Sequence, residues 1–234
     1  MTSRRTVLVT GGGSGIGRAA AQSLQSGGWQ VVIAGRRLEA LQETAHETDM
    51  QCLQADLNQE GAGAALVDLV VQQYGRLDAV VHCAGDVQFK AVAESSVEDL
   101  RGYMRVHVES ALDMVSAGWG VLSEAGPGRV VVLSSLSAHD PFPRVGVYGM
   151  AKAALEGLVR AIESDGAGAI KAFCIAPGCV DTPLLWRLFN PEDLAGVSIA
   201  QPADIAAIVV DMVEGRCDEQ AGKTQLFGAG AGSG

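Results

Sequence analysis

Short apolar runs alternate with longer amphipathic stretches along the whole chain. Thr6–Thr10 is the first run, and a glycine cluster follows it. Ile16–Leu24 then has helical spacing, Gln30–Ala34 reads as a second strand, Leu38–Thr48 as a helix and Gln51–Ala55 as a third strand. From Gly63 to Tyr74, Ala65, Leu66, Leu69 and Val70 recur at helical intervals and predict a helix. Leu77–His82 is the fourth strand, and one long helix is expected over Ser96–Leu122. Arg129–Leu133, Ile170–Ile175 and Thr224–Phe227 read as strands, with helices over Tyr148–Ser164 and Ala203–Glu214. Several strands are near-continuous Val, Ile and Leu, as a parallel sheet covered on both faces requires. The pattern predicts an α/β fold, a doubly wound, mostly parallel seven-stranded sheet with helices on both faces. A TIM barrel fits the element count too, but a glycine cluster directly after the first strand favours the open sheet. No linker or repeat divides the chain, so residues 1–234 read as one domain ending in a Gly-rich tail over 228–234.

Composition narrows the partners. The net charge is −10, which argues against nucleic acid and anionic membrane surfaces. No apolar run approaches the ~18 residues of a membrane span. The run after Arg4-Arg5 is too short for a signal-peptide core. The five cysteines are odd in number and lack a C-x-x-C spacing, so reduced thiols in a cytoplasmic protein are expected. The four histidines show no metal-ligand spacing, and no metal site is expected.

The candidate chemistry begins in the glycine cluster, Thr10-Gly11-Gly12-Gly13-Ser14-Gly15-Ile16-Gly17. Glycines permit a tight turn and close backbone approach, and a helix N-terminus offers free N–H groups to a phosphate. A P-loop is excluded because no Gly-Lys-Ser/Thr is present, and a strict G-x-G-x-x-G fails at Arg18. A pyrophosphate would meet the N–H groups from Gly12 to Ile16. At the end of the second strand, where an acidic residue would bond a ribose 2′-hydroxyl, stands Gly35-Arg36-Arg37. Arginine there accommodates a 2′-phosphate, so NADP(H) is favoured over NAD(H), with Arg36 as the chief partner.

A second motif is Tyr148-Gly149-Met150-Ala151-Lys152. Positions i and i+4 share a helix face, so phenol and ammonium project together. A neighbouring cation lowers a phenol's pKa from near 10 and suits the pair to pass a proton to or from an alcohol oxygen.

T-G-x-x-x-G-x-G on Gly11, Gly15 and Gly17, together with Y-x-x-x-K, resembles the short-chain dehydrogenase/reductase family in its single-domain branch. Matches run in order from residue 6 to 227. The resemblance implies that Ser135, thirteen residues before Tyr148, orients the substrate; from the serine-rich strand end itself, Ser134 and Ser137 read as turn chemistry. It implies that Asp56 and the Leu57 backbone face an adenine ring; by itself Asp56 reads as a helix N-cap. It implies that Val180 and Thr182, in Pro177-Gly178-Cys179-Val180-Asp181-Thr182, fix a nicotinamide carboxamide. The contact set toward the cofactor is thus Gly11, Gly13, Ser14, Gly15, Ile16, Arg36, Asp56, Leu57, Cys83, Ala84, Gly85, Tyr148, Lys152, Val180 and Thr182.

Two positions depart from the family. His82-Cys83-Ala84-Gly85 stands where it commonly has N-N-A-G, leaving Cys83 to approach the ribose through its backbone. His107 stands where it usually has an asparagine holding a water; a histidine of near-neutral pKa could bond that water or relay a proton itself, and as a helix histidine it equally reads as bonded to nearby backbone. The expected catalytic set is therefore Ser135, Tyr148, Lys152 and His107, in an NADP(H)-dependent enzyme interconverting a carbonyl and a secondary alcohol. Residues 183–201 would form a substrate lid, whose Leu, Trp and Phe suit a hydrophobic carbonyl compound and whose Arg187 faces a substrate carboxylate or solvent. A homo-oligomer, tetramer or dimer, is implied as well. The alternatives are a non-catalytic nucleotide-binding regulator on the same fold and a sugar-nucleotide epimerase or dehydratase.

Overall fold

The computed structural model describes residues 4–124 and 126–228. Among the described residues seven strands lie in one sheet: β1 (Thr6–Thr10), β2 (Gln30–Gly35), β3 (Gln51–Gln54), β4 (Ala79–His82), β5 (Gly128–Leu133), β6 (Ile170–Pro177) and β7 (Thr224–Phe227). Every pairing is parallel, and the order is β3-β2-β1-β4-β5-β6-β7. Edges at β3 and β7 exclude the barrel. The order reverses between β1 and β4, the point where ligands bind in open α/β sheets.

The helices are α1 (Gly15–Ser26), α2 (Leu38–Thr44), α3 (Ala62–Tyr74), α4 (Val97–Met104), α5 (Ser110–Glu124), α6 (Gly146–Gly166), α7 (Pro183–Leu188) and α8 (Pro202–Glu214). Alternation along a strand assigns them to two faces. Val7 and Val9 of β1 pack with Leu24 of α1 and Val209 of α8. Leu8 between them packs with Val67 of α3, Met114 of α5 and Leu155 of α6. All five residues of β1 are buried, which explains why its sequence shows no polar alternation.

Three expected elements differ. The helix after β2 stops at Thr44, because Thr48 turns its N–H and hydroxyl back onto the Ala45 carbonyl and Glu47 takes φ 59°. The single helix expected over Ser96–Leu122 is interrupted by a π segment, Arg105–Glu109, where the Ser110 N–H reaches back to the Arg105 carbonyl. One extra residue in that turn rotates His107 inward and buries it to 1% exposure. The lid segment is an excursion pinned at both ends, by Ala200 N–H on the Cys179 carbonyl (3.0 Å) and Asp181 N–H on the Ala200 carbonyl (2.9 Å). Within it Thr182 caps α7, accepting from Leu185 N–H at 3.3 Å. Of the tail expected over 228–234, all but Gly228 lies outside the described residues. Among the described residues no helix is long and apolar enough to cross a membrane.

Leu8 has no exposed surface and stands at the centre of the sheet. Leu8→Ala is expected to lower unfolding free energy by about 2–5 kcal/mol in urea denaturation, with the m-value unchanged.

Candidate active site

The carboxyl ends of β1, β4, β5 and β6 open onto one cleft with two lobes. The first, of about 370 Å³, is lined by Gly11, Gly13, Ser14, Arg36, Asp56 and Leu57. The second, of about 590 Å³, is lined by Gly15, Ile16, Cys83, His107, Ser135, Tyr148, Lys152, Val180 and Thr182. Gly11, Ser14, Arg36, Ala84 and Gly85 border both lobes. All the residues expected at a site from the sequence therefore face one continuous cleft.

The phosphate-type loop is built by close approach. Gly11 adopts φ +69°, and a Cβ there would fall 2.8 Å from the Ala84 nitrogen. Its N–H and that of Gly12 are already bonded to the Ala34 carbonyl, at 2.8 and 3.3 Å. The free amides are thus those that open α1, around Gly15 and Ile16, rather than Gly12. Ser14, at the N-cap, makes no capping bond with its side chain. Arg36 and Arg37 are exposed at the end of β2. Asp56 caps no helix: its Oδ1 accepts from Asn58 N–H at 3.0 Å, an Asx turn, and α3 begins after Gly61. Cys83 N–H is held by the Thr10 carbonyl at 3.2 Å, and burial pushes its thiol up to about 12.

In the second lobe, Ser135 lies two residues beyond β5 and caps a short helical turn, accepting from Ser137 N–H (3.2 Å) and Ser137 Oγ (2.9 Å). Turn chemistry therefore falls on Ser135 and Ser137. Ser134 is buried and donates to Glu156 Oε1 at 2.6 Å; the same carboxylate lies 3.0 Å from His139 Nε2. This network ties the Ser135 segment to α6. Lys152, 5% exposed, donates to the Leu133 carbonyl at 2.5 Å, and its Nζ lies 5.6 Å from the Tyr148 ring centre. Burial lowers the Lys152 pKa to about 8. Tyr148 shifts the other way: burial raises its phenol above the ordinary 10, opposed by a hydrogen bond with Ser135. The lowering expected from the sequence does not prevail: the net shift is upward because burial outweighs any lowering by the neighbouring Lys152 ammonium.

Tyr148, Tyr103 and His107 form an aromatic trio, with centroids 5.9 Å apart for the tyrosines and 5.5 Å for His107 and Tyr148. His107 Nε2 donates to the Asp86 carbonyl at 3.0 Å, while Nδ1 is buried and has no hydrogen-bond partner among the described residues. Burial holds this imidazole well below its ordinary pKa, so it is neutral at pH 7. The near-neutral titration expected for it does not occur. Gly85 is the contact that seats it: a Cβ there would lie 2.9 Å from Nδ1. His82 is also neutral, pushed down to about 3 by burial. Its Nδ1 meets Thr10 Oγ1 at 2.9 Å, and its ring borders the Val106 and His107 backbone in the π segment.

Sequence reasoning missed Asp86, Phe89, Tyr103 and the π segment. None sits in a motif; each enters the site by packing.

Known proteins are similar over nearly the whole chain. A family model described as short chain dehydrogenase matches residues 5–193. An uncharacterized oxidoreductase of Staphylococcus haemolyticus is 30% identical over 210 residues, 88% of this chain and 89% of its own length. The TT0495 protein from Thermus thermophilus superposes with a TM-score of 0.87 at 30% identity, covering 95% of this chain and 96% of its own. A 3-oxoacyl (acyl-carrier-protein) reductase from Agrobacterium tumefaciens, solved with NADP bound, gives 0.88 at 26% identity, covering 96% and 93%. The chain belongs to the short chain dehydrogenase family. It is an oxidoreductase of the class acting on CH–OH groups, and its fold is one that binds NAD(P).

With a folded pKa near 8 against an ordinary 10.5, Lys152 gives up its proton more readily in the folded state. Between those values the unfolded chain binds more protons, so this group's contribution to stability rises with pH. The stability of Lys152→Met minus that of wild type is expected to fall by about 1–2 kcal/mol from pH 7.5 to pH 9.5 in thermal or urea unfolding. A difference independent of pH would mean that Lys152 is not a desolvated ammonium.

Proposed function

We propose that the chain is an NADP(H)-dependent oxidoreductase interconverting a carbonyl and a secondary alcohol. The observation that carries this reading is the convergence of Ser135, Tyr148 and Lys152 on a lobe continuous with the glycine loop. The residues fit a dinucleotide. A Cβ at Gly11 would fill the cradle between loop and β4, the start of α1 presents free amides, and Arg36 and Arg37 stand exposed at the ribose end. A bound nicotinamide dinucleotide supplies or accepts the hydride.

The chain's own residues do the rest. Ser135 Oγ orients the carbonyl oxygen. Tyr148 gives its proton to that oxygen in reduction and takes it back in oxidation. A phenol with a raised pKa holds its proton at neutral pH, which suits the reductive direction. Lys152 reaches the nicotinamide ribose and stabilises the phenolate. His107, neutral with Nε2 bound to Asp86, offers Nδ1 as an acceptor where the family asparagine holds a water. Val180 and Thr182 frame the carboxamide. Asp56 and Leu57 flank the adenine.

Family membership alone leaves NAD and NADP open; Arg36 and the absence of an acidic residue at the end of β2 support NADP. The five free cysteines support a reducing compartment, the cytoplasm. Exposed Leu112 on α5 (49%) and Met150 on α6 (55%) support a homo-oligomer, tetramer or dimer, built through those helices.

A panel of carbonyl and alcohol compounds run with both nicotinamide cofactors tests the reading. Tyr148→Phe is expected to lose about 100-fold or more in kcat while still binding NADPH; full activity in this variant would overturn the assignment. Arg36→Ala is expected to raise KM for NADPH at least tenfold and leave KM for NADH within about twofold. An equal rise for both cofactors would refute the 2′-phosphate role.

A further inference from the structure

The lobe that holds Tyr148 is roofed by α7 and walled by Val87, Phe142, Val145, Leu184 and Leu188. Of the charged side chains that line it, Arg36 and Arg37 belong to the nucleotide end and Lys152 is buried on the Leu133 carbonyl. Asp86 and Arg187 are the two that border the roofed part. They are paired with each other: Arg187 Nη2 donates to Asp86 Oδ1, and also to the Val87 carbonyl at 3.0 Å. Beside them Phe189 meets Phe89 edge-on, with centroids 4.9 Å apart at 84°. The two ends of the lid are pinned independently, at Val180 and Ala200.

We propose that this site takes an uncharged, apolar carbonyl compound, and that the Arg187–Asp86 clasp excludes substrates bearing a carboxylate. The proposal rests on the oxidoreductase reading and names its substrate class. A carboxylate that took the Nη2 donors of Arg187 would have to displace Asp86, and one that reached its other N–H groups would find the Asp86 charge beside it. The displaced Asp86 would stay beside it, fixed by its own backbone, whose carbonyl is held by His107. Two like charges would then share an apolar lobe with one cation between them. An uncharged ketone meets no such conflict, because the clasp carries no net charge. The pair is half-exposed, 52% for Arg187 and 31% for Asp86. Exposed pairs of this kind are weak, so the clasp steers selection without locking the lid.

Matched keto esters and keto acids test this, for example ethyl benzoylformate against benzoylformate and ethyl 3-oxobutanoate against 3-oxobutanoate. Each is measured by kcat/KM with NADPH and, independently of turnover, by calorimetric titration onto the protein with NADP present. Wild type is expected to favour the ester at least tenfold in both measurements. Asp86→Asn, which removes the competing charge beside Arg187, is expected to narrow the ratio about two- to fivefold, chiefly by tighter binding of the acid. The double variant Asp86→Asn/Arg187→Leu is expected to lose that gain. Equal handling of ester and acid by wild type, failure of either ester to bind, or a ratio unchanged in Asp86→Asn would overturn the proposal. Esters that bind in preference to acids yet are never reduced would uphold it and overturn the oxidoreductase reading instead. Should Asp86→Asn not fold, the wild-type titrations still decide.

Discussion

A lysine ammonium buried to 5% exposure is the constraint around which the catalytic end is arranged. A desolvated charge needs a fixed partner, and the Leu133 carbonyl at the end of β5 supplies it. That bond joins the last residue of a central strand to the second turn of α6. It thereby sets where Tyr148, one turn earlier on the same face, meets the cleft. Ser135 follows Leu133 by two residues, so its position relative to Tyr148 depends on the same anchor. The Ser134–Glu156–His139 network repeats the connection one turn further along α6. The three catalytic candidates are therefore held by strand and helix rather than by loops alone.

Two buried histidines adapt the family's architecture to this sequence. His82 spans from Thr10 at the end of β1 toward the π segment, and His107 spans from that segment to Asp86. Each is kept neutral by burial, so each works as a fixed arrangement of donor and acceptor and not as a titrating group near pH 7. The π segment is what makes the arrangement possible. Its extra residue turns His107 inward against Gly85, where a side chain would collide with the ring.

The chain carries a net charge of −10 and yet has a cleft suited to a polyanion. Local groups resolve the conflict: the amides opening α1, the exposed Arg36 and Arg37, and Lys152. At the other end of the cleft, opposite charges are paired between lid and loop, leaving apolar walls. The two lobes meet at Gly11, Ser14, Ala84 and Gly85, with Arg36 and Arg37 bordering both and Tyr148 inside the roofed one.

Strand–helix alternation, the glycine loop, Arg36 and the Tyr148/Lys152 spacing were legible in the sequence, because each depends on local periodicity or on residues within one turn of one another. The order of the strands was legible only as a class, and their carboxyl ends became a site once β1 and β4 were adjacent. The break in the helix at Arg105–Glu109, the neutrality of His107, the raised Tyr148 phenol and the clasp between Arg187 and Asp86 were decided by tertiary structure. Burial and long-range contact cause all four. Residues 86 and 187 are 101 positions apart, and no spacing rule connects them. A periodic pattern specifies which face of an element is covered; only packing specifies what covers it, and desolvation follows from that.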